Sequence, residues 1–216
     1  MLTMDQIPYG YKDKNGKNTG VLFEVMDAIM HASGIGKKHT LIPSKRLGIK
    51  MVSGSPVCVI VANTPDVTIQ SLVAPIGYSL KMGILPSIDS GITDYQSLTG
   101  KTVAVPLGVQ FDTVFHNDKS IIKASPPQYI NAIKMLKVGR VDAVAGALIN
   151  LKSIAFAVGM QDKDLGPPII LSKNKMYLIC SKEILKTTRQ KLKETIKHLK
   201  ATGEIQTILS RYLANN

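Results

Sequence analysis

The sequence has no tryptophan, and aromatic residues make up only 5% of its 216 positions. Proteins that read nucleic acid stack bases on aromatic rings or carry a known reading motif, and neither is present. Nucleic acid is therefore not an expected partner, even though 27 Lys and Arg face 15 Asp and Glu. Cysteine is as scarce. Cys58 and Cys180 stand alone in two apolar, strand-like runs, "PVCVIVA" and "MYLICS". Their spacing fits no zinc or redox motif, so two buried free thiols are expected; a disulfide requires the two strands to meet. The four histidines (31, 39, 116 and 198) are scattered, none beside Cys, Asp or Glu at ligand spacing, and no metal or cofactor is expected. Neither a Gly-x-Ser-x-Gly elbow nor a phosphate-binding Walker loop occurs. No apolar run reaches the roughly 18–20 residues of a membrane span. The first residues, Met1 to Gln6, do not read as a secretory signal, which leaves a cytosolic protein or one whose export signal has been removed.

What is present is an alternation of strands and helices. Hydrophobic residues are 44% of the chain, enough for a packed core. A strand at 2–12 breaks at Pro8. Leu22, Val25, Met26, Ile29 and Ala32 recur at helical spacing up to Gly34. "HTLIP" reads as a strand, Ser44 opens a short helix, and "PVCVIVA" has the continuous apolar character of a strand buried on both faces. The β-α-β pattern then restarts: a strand at 102–105, a short helix near 109–116, a strand at 120–124, a helix opened by Ser125-Pro126-Pro127, and the strand "VDAVAG". Strands at 168–171 and 176–180 lead to two terminal helices. Two such α/β modules, with mostly parallel sheets, bind ligands in the cleft between them.

The late segment 182–200 carries seven basic and two acidic residues, and its apolar positions leave the lysines on a wet face. The overall charge of +12 favours anionic small ligands or an anionic membrane surface by long-range steering. A second feature is "GKTVAVPLGVQFDTVF" (100–115), a strand–Gly–helix turn of the kind whose backbone amides can hold an anion. Taken alone, such turns mostly hold nothing.

The order of these motifs resembles the extracellular solute-binding proteins of family 3, the periplasmic binding proteins of polar amino-acid ABC transporters. The likeness covers nearly the whole chain. It is carried by "IPYGYKDKNGKNTGVLFEVMDAI", "IPSKRLGIKMVSG", "NTPD" with "APIGYSLKMGIL", "LTGKTVAVPLGVQFD", "AIKMLKVGRVDAVAG" and the closing "GEIQTILSRYL". The resemblance implies an α/β, two-lobed periplasmic-binding-protein type II fold, each lobe a mostly parallel sheet flanked by helices, joined by a two-strand hinge. Lobe one would be 1–82 plus 183–216, and lobe two 83–182, which puts Cys58 and Cys180 in different lobes or near the hinge and unbonded. It further implies a monomeric periplasmic protein, its signal peptide removed, that hands a small-molecule ligand to a membrane ABC transporter permease.

The resemblance places Tyr9, Tyr11, Arg46, Gly108, Val109 and Gln110 at the ligand, and Asn63 and Thr64 join them because they end a buried strand, where open α/β sheets bind ligands. Two departures stand out. The Arg that grips the ligand α-carboxylate is replaced by Val67, and the acid that takes the α-ammonium by Ala147. The expected ligand is therefore small and polar, anionic or amino-acid-like, without the usual pair of charged anchors. No catalytic residue is expected. Two alternatives stay open: the ligand-binding sensor domain of a membrane receptor, and a dehydratase-like enzyme on the same fold, for which Glu24 is the early acid available.

Overall fold

The computed structural model describes residues 1–62, 72–109 and 111–213. It divides into two compact units. One comprises Met1–Ser79 and the chain from Asn174 onward; the other is Leu80–Lys173. The chain passes from one to the other inside two long strands, β6 (Leu72–Pro86) and β10 (Ile169–Cys180). The fold is mixed α/β, with mostly parallel strands flanked by helices.

In the first unit the strand order is β4 (Thr40–Ile42), β1 (Leu2–Met4), β5 (Cys58–Ala62), β10. β1 runs parallel to β4 and β5, whereas β10 runs antiparallel to β5. A small hairpin, β2 (Tyr11–Lys12) with β3 (Asn18–Thr19), precedes α1 (Val21–Ser33). Leu22, Val25, Met26 and Ile29 of α1 are fully buried on the helical spacing read from the sequence, and Val21 with them, whereas Ala32 in the last turn is exposed. Gly34 ends the helix in the left-handed conformation (φ 63°), donating its N–H to the His31 carbonyl. α2 is Ser44–Val52. The terminal helices α6 (Lys186–Ala201) and α7 (Glu204–Leu213) both pack on α1. Glu24 of α1 accepts hydrogen bonds from Thr19 Oγ1 (2.9 Å) and the Tyr212 hydroxyl, and its second oxygen pairs with Arg211 Nη2 at 2.9 Å. The early acid is thus engaged by the last helix.

The second unit carries the order β6, β9 (Ala143–Ala147), β7 (Thr102–Ala104), β8 (Ile122–Ala124). β7 is parallel to both its neighbours, and β6 is antiparallel to β9. Helices α3 (Thr113–Asn117), α4 (Tyr129–Lys137) and α5 (Leu148–Ala157) complete it. One core cluster joins Ala132, Ile133 and Leu136 of α4 with Val144, Leu151 and Ala155; another gathers Ile84, Val103, Phe115 and Ala145. The "GRVDA" stretch earns its residues locally: Asp142 Oδ2 accepts the Thr102 N–H at 2.7 Å, fixing the start of β7 against β9.

Two sequence expectations need correction. The strands expected at 168–171 and 176–180 are one strand, because the polar "SKNK" stretch between them stays extended, its two lysines exposed and Ser172 and Asn174 half-buried. That continuity overturns the expectation for the cysteines. The last part of β10 lies in the first unit, in antiparallel register with β5, and sets Cys180 directly opposite Cys58. Their Cα atoms are 4.0 Å apart and the two form a disulfide across 122 positions. Directly opposed antiparallel residues are the closest pairs a sheet offers.

Denatured, unreduced protein should therefore show no free thiol, and two after reduction. Replacing both cysteines by alanine should lower the unfolding free energy by about 2–4 kcal/mol, read from urea denaturation. Two thiols titrating without reductant would contradict the pairing.

Candidate functional site

Parallel strands end on a common edge, and loops leaving their carboxyl ends are where open α/β sheets bind ligands. In the first unit such loops follow β1 and β4, and the residues after β5 lie outside the described ones. The loop after β1 is held tightly: Asp5 donates its N–H to the Ile42 carbonyl (2.7 Å), and Gln6 and Gly10 bridge across a cis Ile7–Pro8 bond. Its carbonyls then serve α1. Pro8 O accepts from Val21 N–H at 2.8 Å, and Tyr9 O from the N–H groups of Leu22 (2.9 Å) and Phe23 (3.0 Å). The approach is close enough that Gly20, at φ 123°, has no room for a β-carbon: one would lie 2.6 Å from Tyr9 O.

Tyr9 itself is buried, at 4% exposure, whereas Tyr11 is half-buried on the hairpin. Across the edge, Ser44 Oγ donates to Gln6 Oε1 (3.1 Å), which ties the start of α2 to the same loop. Arg46 stands exposed in the first turn of α2, where no acidic residue and no side-chain cap offset it. Tyr9, Tyr11 and Arg46 therefore share one edge of the first unit. Asn63 and Thr64 directly follow β5 but, like Val67, lie outside the described residues. Asp5, exposed at the end of β1, is an edge residue that sequence reasoning passed over; its place directly after an apolar strand was the available signal.

The second unit has a corresponding edge after β7, β8 and β9. The turn after β7 is pinned by Val105 N–H to Ala124 O (2.7 Å) and Leu107 N–H to Pro126 O (3.0 Å). Gly108 takes φ 81°, and the Val109 N–H closes the turn on the Pro106 carbonyl at 3.0 Å. Val109 thus spends its amide within the turn. Gln110 lies outside the described residues. Asp112 caps α3 by accepting the Phe115 N–H at 2.8 Å, so an acid already occupies that helix start. At the end of β9, Ala147 is buried, at 5% exposure. The Tyr129 ring covers the neighbouring Gly146, whose φ is 155°; a β-carbon there would come within 2.4 Å of Tyr129 Cε1.

One polar chain away from these edges went unread. His39 Nδ1 is 2.6 Å from Asp27 Oδ1, and its Nε2 is 2.8 Å from Thr3 Oγ1. The Phe23 ring stacks on the imidazole with centroids 3.9 Å apart. Acid, imidazole and hydroxyl stand in catalytic order, yet Thr3 is 3% exposed inside the sheet, where no substrate can reach it. The chain ties α1 to β1 and β4. Burial lowers the His39 pKa against the pull of Asp27, and burial together with Lys123 lowers that of His116. Among the described residues, no cluster of three His, Cys, Asp or Glu side chains is placed to hold a metal, and no helix is long and apolar enough to cross a membrane.

Two outcomes follow. With both histidines held below the ordinary value of 6.5, the unfolded chain binds more protons than the folded one in that range. Stability should rise with pH and be lost as pH falls below about 6.5; urea midpoints at pH 7 and pH 5 check this, and His39→Gln should flatten the difference. Gly146→Ala should cost about 1–3 kcal/mol through the crowding of Tyr129. Tyr129→Leu in the same chain should recover part of that loss.

A scan against protein-family models finds no match, and no curated protein matches in sequence. Solved structures do match over nearly the whole chain. A substrate-binding protein of an ABC uptake transporter from Streptococcus pneumoniae, with bound histidine, has a TM-score of 0.78 at 19% identity, covering 99% of this chain and 91% of that one. A histidine kinase sensor domain with similarity to periplasmic binding proteins gives 0.75 at 19% identity, with 98% and 94% covered. The second substrate-binding domain of GlnP from Lactococcus lactis, in an open conformation, gives 0.74 at 19% identity, with 100% and 95% covered. The chain thus has the two-lobed fold of the periplasmic binding proteins, the fold used by amino-acid binding proteins of ABC transporters.

Proposed function

We propose that the protein is a periplasmic solute-binding protein that captures a small polar, anionic or amino-acid-like ligand for an ABC transporter permease. The observation that carries this reading is Arg46. A cation in the first turn of a helix opposes the helix dipole, and nothing in α2 compensates it: the turn has no acid and no side-chain cap. A bound anion would relieve both the exposed guanidinium and the uncapped amides. Tyr9, Tyr11, Asn63 and Thr64 belong to the same edge of the first unit in this reading, with Gly108, Val109 and Gln110 as further contacts. Because Val109 donates within its own turn, the free donors there would come from its neighbours.

The buried, apolar Ala147 speaks against a free α-ammonium being gripped at that position. The Cys58–Cys180 disulfide suits an exported, oxidising compartment. Glu24, held by Arg211, Tyr212 and Thr19, is bound into the packing of α1 and α7 instead of serving as an acid for dehydration, which favours a binder over an enzyme. The protein acts as a monomer and needs no cofactor. A sensor domain is the second reading, favoured by the likeness to the kinase sensor domain.

A thermal-shift screen of organic anions, phosphorylated metabolites and amino acids tests the binding reading. A ligand at 100 times its dissociation constant stabilises the native state by about 2.7 kcal/mol. Anions should give the shifts, free α-amino acids little or none, and Arg46→Ala should abolish them. A strong shift from a simple amino acid, or unchanged binding by Arg46→Ala, would defeat the reading. Stimulation of permease ATP hydrolysis by the liganded protein would separate transport from sensing.

A further inference from the structure

Helix α6 buries Leu192, Ile196 and Leu199 against the first unit. Successive helical residues turn by about 100°. Lys186, Lys193, Lys197 and Lys200 therefore fall within an arc of about 60°, centred about 100° round the helix from the buried row. All four are exposed. None pairs with a carboxylate among the described residues. The one acid of the helix, Glu194, lies about 90° from the centre of the lysine row and accepts from Gln190 Nε2 at 2.5 Å. The row extends about 21 Å along the helix. At its far end the stem of Lys200 passes Gly77, where a β-carbon would meet its Cε at 3.4 Å, while the residue stays exposed.

The structure assigns this lysine row as an electrostatic docking surface for the anionic lipid headgroups of a membrane. Four aligned ammonium groups without counter-charges repel one another, and an anionic surface removes that repulsion. The charges are all lysine. Arginine is the residue of planar, two-pronged recognition of one carboxylate or phosphate, whereas lysines are hydrated point charges suited to a diffuse anionic layer. Aromatic residues for stacking bases are absent from α6. Nor does the row interleave apolar residues that could form the desolvated centre of a protein interface. The net charge of +12 adds long-range attraction to the same kind of surface. The inference does not rest on solute binding, since no candidate ligand residue lies on α6.

Co-sedimentation of the full chain with vesicles tests it. One set contains equal parts phosphatidylglycerol and phosphatidylcholine, the other phosphatidylcholine alone. Binding is expected to the anionic set only and should weaken as salt rises, because attraction to an anionic leaflet is screened over a Debye length. Replacing Lys186, Lys193, Lys197 and Lys200 together by Gln, which keeps helix propensity, should reduce partition at least about tenfold with an unchanged melting temperature. Replacing Lys119, Lys134, Lys163 and Lys173 of the second unit by Gln removes the same charge and should leave partition within about twofold. The inference is overturned if the wild type ignores anionic vesicles or binds neutral ones equally. Equal losses in the two variants overturn it too, as does a row variant that loses affinity for random duplex DNA but keeps its binding to vesicles.

Discussion

The antiparallel run of β10 along β5 is the constraint on which the first unit depends. Five consecutive pairs, Met176 to Cys180 against Ala62 to Cys58, return the chain to that unit after its passage through the second. From the end of β10 the two last helices cover α1, burying Leu192, Ile196, Leu199, Ile205, Ile208 and Leu209. Each such side chain contributes roughly 1.5–3 kcal/mol when removed from water. The pairing therefore secures a far larger apolar contact than its own hydrogen bonds represent. Arg211 and Tyr212, closing on Glu24, and the disulfide at the end of β10 hold the same return from two sides.

At the loop edges, the question is where an anion would find unspent positive potential. Helix starts are the usual source, and two here are already used; α2, α4 and α5 start without a side-chain cap or a first-turn acid, but of these only α2 has a basic residue exposed in its first turn. The first amides of α1 go to the carbonyls of Pro8 and Tyr9, and α3 is capped by Asp112. A carboxylate at a helix start cancels the dipole that would attract a ligand. α2 alone among these three combines an uncapped start with an exposed arginine. Charge complementarity is therefore concentrated on one short helix, and this is why the proposed ligand contact is weighted so heavily toward Arg46.

Much of this was legible in the amino-acid order. The helical spacing of Leu22, Val25, Met26 and Ile29 identified α1, and the continuous apolar run around Cys58 identified a strand buried on both faces. Composition misled where extended backbone is polar: separate strands are read on either side of "SKNK", yet that stretch is the partly exposed middle of one strand that runs from one unit into the other. The cysteines were separated by placing Cys180 in lobe two or near the hinge, whereas β10 carries it into the first unit opposite Cys58. At the candidate site, the sequence could nominate Tyr9 and Tyr11 but could not tell them apart. Only packing shows that Tyr9 is enclosed while its carbonyl caps α1. The Asp27–His39 contact spans 12 positions and joins a helix to the residue before a strand, a juxtaposition that no periodicity announces.

The second unit's edge has a different character, and the contrast bears on what kind of ligand the chain can hold. Where the resembled family places an acid, Ala147 ends β9 in a buried position, and the adjoining Gly146 is covered by the Tyr129 ring. An ionised carboxylate introduced there would be desolvated without a partner, at a cost of several kcal/mol. Burial also raises the Tyr129 pKa, so its hydroxyl stays neutral at physiological pH. What the end of β9 offers is shape and backbone polarity rather than charge. In the proposed reading the charged contact is therefore Arg46 of the first unit, and the end of β9 supplies no grip for an ammonium group.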